Sequence, residues 1–179
     1  MKYNQKVIDF FKRHNMYDEK VFEYLQDNTM MVDYNDPDQR MFIGFSAWIK
    51  DGVLKRFTIC IPYMQDNITM LNDIHEIAHG IYAYRKLNKK YDRNACETIP
   101  MLCEKIFVSE TNDEELTKYS EYLDSLIDED SEAKYRFALR NRDIIYNEFN
   151  DDYEIAERLC DKLAKREAIK KMLSKYFKS

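Results

Sequence analysis

Ile74-His75-Glu76-Ile77-Ala78-His79-Gly80 is the stretch on which the reading of this 179-residue chain turns. Its spacing is His-Glu-x-x-His. On a helix, residues four apart lie one above the other on the same face. His75 and His79 can therefore offer two imidazoles to one metal ion. Glu76, one position along, can reach a water in an open coordination site, which is the place of a general base. Ile74, Ile77, Ala78 and Ile81 surround the pair with apolar side chains, as a buried ligand helix requires.

A hydrolytic zinc site takes three protein ligands and keeps one position open. The chain has three histidines. The third, His14, lies far away in a first amphipathic helix and is expected at the surface or a helix end. A cysteine ligand would tend to quench hydrolysis, so a carboxylate is expected. Glu97 and Glu104 stand out on the next helix, seven residues apart and hence on one face. The connection between the helices is short and brings Glu97 level with the histidines sooner than Glu104. Spacing alone leaves both open.

His-Glu-x-x-His followed by a glutamate from the next helix resembles the gluzincin metallopeptidases. Glu97-Thr98-Ile99-Pro100-Met101-Leu102-Cys103-Glu104 is similar to the Glu-x-Pro-Ser-Gln-x-x-Glu segment of the thimet oligopeptidase and oligoendopeptidase F family. The likeness covers roughly residues 55–110. It implies Zn2+ as cofactor, His75, His79 and Glu97 as ligands, and Glu104 as a supporting residue. The implied activity is peptide-bond hydrolysis with Glu76 as general base. The chain departs from the family in a proline displaced by one position, a missing Ser-Gln, and Ala78 before the second histidine. Its loop between the two helices is also shorter, and a ligand at Glu104 would restore the family's longer spacing. The family's long helical N-terminal region does not fit in this length.

An oxyanion donor is also needed. With no spare histidine nearby, a tyrosine is the natural candidate. Tyr146 and Tyr153, seven apart, are similar in placement to paired tyrosines downstream in the oligopeptidases. The strand before the catalytic helix, residues 53–61, is expected to be the sheet edge on which an extended peptide adds. Two other readings stand beside this one. A regulatory protease resembling the ImmA/IrrE group would cleave a protein partner, although that group's downstream Glu-x-x-Ala-Asn-x-Phe-Ala pattern is absent. A non-catalytic metal-binding protein of the same fold is the other, and an intact Glu76 argues against it.

The rest of the chain frames the site. A length of 179 residues suits one domain, and 45% hydrophobic with 34% charged residues marks a globular chain. A net charge of −5 carries no nucleic-acid footprint. The cations of the Lys162–Lys178 segment alternate with apolar positions, the pattern of a solvated helix face. No run approaches a membrane span, so the expectation is a cytoplasmic enzyme with a peptide or protein substrate and neither nucleic-acid nor membrane partner. Cys60, Cys96, Cys103 and Cys160 form no CxxC pair and read as small, mostly buried hydrophobes.

Helices are expected over roughly 3–14 and from Asp18, followed by a turn-rich loop at 33–39. Met41–Ile49 and Val53–Ile61, joined by Lys50-Asp51-Gly52, read as a hairpin and as the only sheet material. Helices follow from Asp66 or Asn67 to about Leu87, from about Asp92 to Ser109 with Pro100 kinking it or delaying its start, and from Asp113 onward. Breaks are expected near 128–131 and 150–152. The fold class is α+β: a mostly helical zincin-like domain with a small antiparallel hairpin or sheet before the catalytic helix.

Overall fold

In the computed structural model, residues 2–63, 66–127, 130 and 132–176 are described. The elements run α1 (Gln5–Arg13), α2 (Glu19–Asp27), β1 (Thr29–Val32), α3 (Pro37–Arg40), β2 (Gly44–Lys50) and β3 (Val53–Pro62). They continue through α4 (Asn67–Arg85), α5 (Thr98–Thr111), α6 (Glu114–Ser125), α7 (Ala133–Glu148) and α8 (Tyr153–Tyr176). The fold is α+β; among the described residues 63% are helical and there is one small mixed sheet.

Local chemistry sets most of these boundaries. Asn4, Asp18, Asp66 and Asp113 each stand at a helix N-cap, where the side-chain oxygen accepts an orphan backbone N–H. Asp66 and Thr69 close a reciprocal capping box at the start of α4. Asp51 and Gly52 both take positive φ (52° and 74°), as the tight turn between β2 and β3 demands. Asn150 and Asp151 also take positive φ, which separates α7 from α8. The break expected at 128–131 falls on Asp128, Glu129 and Ser131, outside the described residues; α6 ends at Ser125 and α7 starts at Ala133.

Several expectations need correction. Pro37 follows the N-cap Asp36, so the loop at 33–39 holds the start of the short α3. Met41 and Phe42 belong to the turn after α3, and β2 begins only at Gly44. Pro100 sits in the first turn of α5, where its missing N–H has no intrahelical partner to lose. Residues 93–97 are turns, so α5 starts at Thr98.

The largest correction concerns the sheet. Its order is β1-β3-β2, with β1 parallel and β2 antiparallel to β3. Strand β3 is therefore central and cannot receive a peptide at an edge. The hairpin's free edge is β2. Thr-Met-Met-Val of β1 offers no polar–apolar alternation, and its pairing with Ile59–Pro62 is a long-range event that its own sequence does not signal.

Gly80 fixes how closely α4 approaches the rest of the fold. A Cβ there would lie 2.6 Å from Ile59 Cδ1 and 2.9 Å from Leu25 Cδ2. The helix thus closes on β3 and α2 at the turn that carries His79. One hydrophobic cluster joins α1, α2, β3, α4 and α5 with Phe137 and Ile145 of α7 and Cys160 of α8. His14 does end α1, but it is buried. Its Nδ1 lies 3.0 Å from Asp151 Oδ1 and its Nε2 lies 2.6 Å from Glu110 Oε1, tying α1 to the end of α5 and to the α7–α8 turn.

Candidate metal centre

Three side chains from two elements converge beside the sheet. His75 and His79 stack on one face of α4, and their Nε2 atoms lie 3.1 Å apart. Glu97 Oε2 lies 3.1 Å from His79 Nε2 and 3.4 Å from His75 Nε2. Four ligands placed tetrahedrally at 2.0–2.1 Å from zinc sit about 3.3 Å from one another. The three observed separations are of that size, and the trio is a group that could hold a metal ion. Two imidazoles and one carboxylate suit zinc.

Glu97 is available to the histidines because it does not cap its own helix. It occupies the N-cap of α5, but its side chain makes no cap hydrogen bond and turns to the histidines. Burial on its own would raise its pKa. His79 and then His75 outweigh that and hold the carboxyl well below the ordinary range. His75 shows the reciprocal effect: burial lowers its pKa, but Glu104, then Glu97 and Glu76, raise it well above the ordinary value.

Glu104 is two turns beyond Glu97 on α5. Its Oε1 sits 2.9 Å from His75 Nδ1, so it accepts from the ring nitrogen that faces away from the trio. This leaves His75 Nε2 free to offer a lone pair. His79 has no such partner: its Nδ1 is buried without a hydrogen bond among the described residues. Phe45 of β2 holds that ring by stacking, at 4.9 Å between centroids and 16° between planes.

Glu76 borders the trio. Its pKa is raised by burial, against the opposing pull of His75 and His79, and its Oε2 is buried without a hydrogen-bond partner among the described residues. A carboxyl whose pKa is raised and which has a spare oxygen is suited to exchange a proton with water.

These residues open on a cavity of about 700 Å³. Ile43, just before β2, and Phe45, Ala47 and Ile49, alternate positions within it, form an apolar lining. Lys134 and Tyr135 line it from the first turn of α7. Lys134 Nζ lies 3.6 Å from Glu97 Oε1 and 3.3 Å from Glu132 Oε2. The Tyr135 hydroxyl has its pKa raised by burial and then by Glu97, with Lys134 pulling it back.

Tyr146 and Tyr153 do not reach this cavity. Tyr146 is half-exposed under Lys105 Nζ, 4.7 Å from its ring, and Tyr153 is buried with Arg85 over its ring at 5.2 Å. The tyrosines that line the cavity are Tyr91 and Tyr135. Nothing near Tyr135 in the sequence marks it, because the helix that carries it is brought to the site by packing on α5. Cys96 lines the cavity beside Glu97, with its Sγ 3.8 Å from Glu97 Oε1, and burial raises its pKa first. Its sulfur is not among the three ligand atoms that converge.

No family model, curated protein or solved structure matches this chain. Among the described residues, no helix is long and apolar enough to cross a membrane.

Proposed function

We propose that this chain is a zinc-dependent metallopeptidase, with His75, His79 and Glu97 as metal ligands and Glu76 as general base. The observation that carries the reading is the convergence of two Nε2 atoms and one carboxylate oxygen at 3.1–3.4 Å, beside an uncommitted glutamate in an open cavity. Zinc held by this trio would supply Lewis acidity, polarising a carbonyl and acidifying water. Glu76 takes the proton from the attacking water and returns it to the departing amine. Glu104 holds the His75 ring by its Nδ1–H. Tyr135, which lines the cavity beside Lys134, is the hydroxyl we assign to donate to a developing oxyanion. The free edge of β2 supports an extended peptide lying alongside the apolar row Ile43, Phe45, Ala47 and Ile49. Free thiols at all four cysteines favour a cytoplasmic setting.

The test is cleavage of a peptide library by wild type and Glu76→Gln at matched zinc content. Zinc-dependent cleavage by wild type alone supports the reading. Stoichiometric zinc with no Glu76-dependent cleavage would leave a metal-binding protein of this fold instead.

A further inference from the structure

Helix α8 has two apolar seams on different sides. Ala156, Cys160 and Ala164, spaced by four, are buried against the body of the protein. Ile169, Met172 and Leu173 form a second seam; at 100° per residue Ile169 and Leu173 lie about 140° to 180° around the helix from Cys160 and Ala164, and Met172 about 80° to 120°. These three are exposed by 45%, 52% and 45%. The helix therefore carries an apolar patch that points away from the core it packs on.

The same outward face is basic one to two turns earlier. Lys162, Lys165 and Arg166 precede Ile169 by seven, four and three residues, so they align with it along the helix. None of the three makes an ion pair among the described residues. Between 162 and 175 the one acid is Glu167, which pairs with Lys170 at 3.2 Å. This excess of positive charge sits in a chain whose net charge is −5.

We propose that the outward face of the C-terminal half of α8 docks on an anionic lipid surface. Exposed cations beside an exposed apolar patch on one side of the helix match a surface that offers phosphate headgroups above acyl chains, over the roughly 15 Å that these residues span. A second copy of the chain fits less well, because its own face would bring lysine and arginine against lysine and arginine with no acid between. Nucleic acid would have no use for the apolar patch. Lying on a surface needs no spanning segment, so the lack of one in α8 does not bear against it. For this face the proposal departs from the expectation of no membrane partner. The inference stands apart from the metal site and survives its loss.

The full chain is sedimented with phosphatidylcholine vesicles, with and without phosphatidylserine, at low and high salt. Wild type should pellet with the phosphatidylserine vesicles alone, and less at high salt. Ile169→Glu/Leu173→Glu and, independently, Lys165→Glu/Arg166→Glu should each weaken that binding about tenfold or more. Circular dichroism checks that both variants keep wild-type helicity. Failure of wild type to bind, or binding that both variants retain, overturns the proposal. So does self-association of wild type, abolished by Ile169→Glu/Leu173→Glu, in the absence of vesicle binding. Selective retention by an acidic polypeptide rather than by lipid overturns it as well.

Discussion

Glu104 Oε1 accepts from His75 Nδ1 at 2.9 Å, two turns of α5 beyond Glu97. One helix thus supplies a candidate ligand at its N-cap and, further along, the residue that sets the tautomer of another. The two glutamates divide the work by position. Glu97 meets both Nε2 atoms, whereas Glu104 meets the far side of one ring.

Glu104→Gln should therefore weaken zinc binding about 10- to 100-fold, the usual loss on removing an orienting partner. Competition with a chromophoric chelator measures it. A loss as large as that of Glu97→Ala would make Glu104 a direct ligand.

Tyr135→Phe should lower kcat for peptide cleavage roughly a hundredfold to a thousandfold while zinc content stays at the wild-type level. Tyr146→Phe and Tyr153→Phe should leave kcat within a few-fold of wild type, since neither ring lines the cavity. A kcat loss confined to Tyr153→Phe would move the oxyanion donor away from α7.

Much of this was legible in the sequence. The helix N-caps, the Asp51-Gly52 turn and the stacked pair His75 and His79 are local, so spacing and side-chain chemistry reveal them. Glu97 and Glu104 were legible as a pair on one side of α5. What separates their roles is the packing of α5 on α4, which spacing does not encode. The central position of β3 was hidden because Thr29–Val32 carries no strand alternation of its own and pairs with a segment about 30 residues on. Tyr135 was hidden for the same kind of reason: its place in the cavity depends on α7 packing on α5, far along the chain from the motif.

Gly80→Ala should destabilise the protein by about 1–3 kcal/mol, because the new methyl meets Ile59 and Leu25 and α4 must shift to admit it. Urea unfolding with the m-value unchanged is the measurement. Zinc affinity should fall too, since the shift moves His79. An unaffected midpoint would mean that the two neighbouring side chains turn aside freely.

Asp73 is buried in α4, and neither carboxyl oxygen has a hydrogen-bond partner among the described residues. Burial, and then Glu76, raise its pKa from 3.8 to about 8. The folded chain thus keeps a proton that the unfolded chain releases near pH 4. This contribution to stability is full below about pH 4 and is lost as pH rises toward about 8, a swing on the order of a few kcal/mol. Asp73→Asn carries no charge at any pH. Its stability relative to wild type, compared pH by pH so that zinc loss affects both chains alike, should improve steadily from pH 5 to pH 8. A constant difference would show that Asp73 titrates normally.

The central claim is the trio itself, and metal content tests it most directly. Purified wild type, Glu97→Ala, His79→Ala and a variant with all four cysteines replaced are passed through the same desalting step and assayed for zinc by mass spectrometry. Wild type and the cysteine-free variant should retain stoichiometric zinc, and Glu97→Ala and His79→Ala should lose it. Wild type free of zinc after supplementation, or zinc lost with the cysteines and kept by Glu97→Ala, would contradict the assignment.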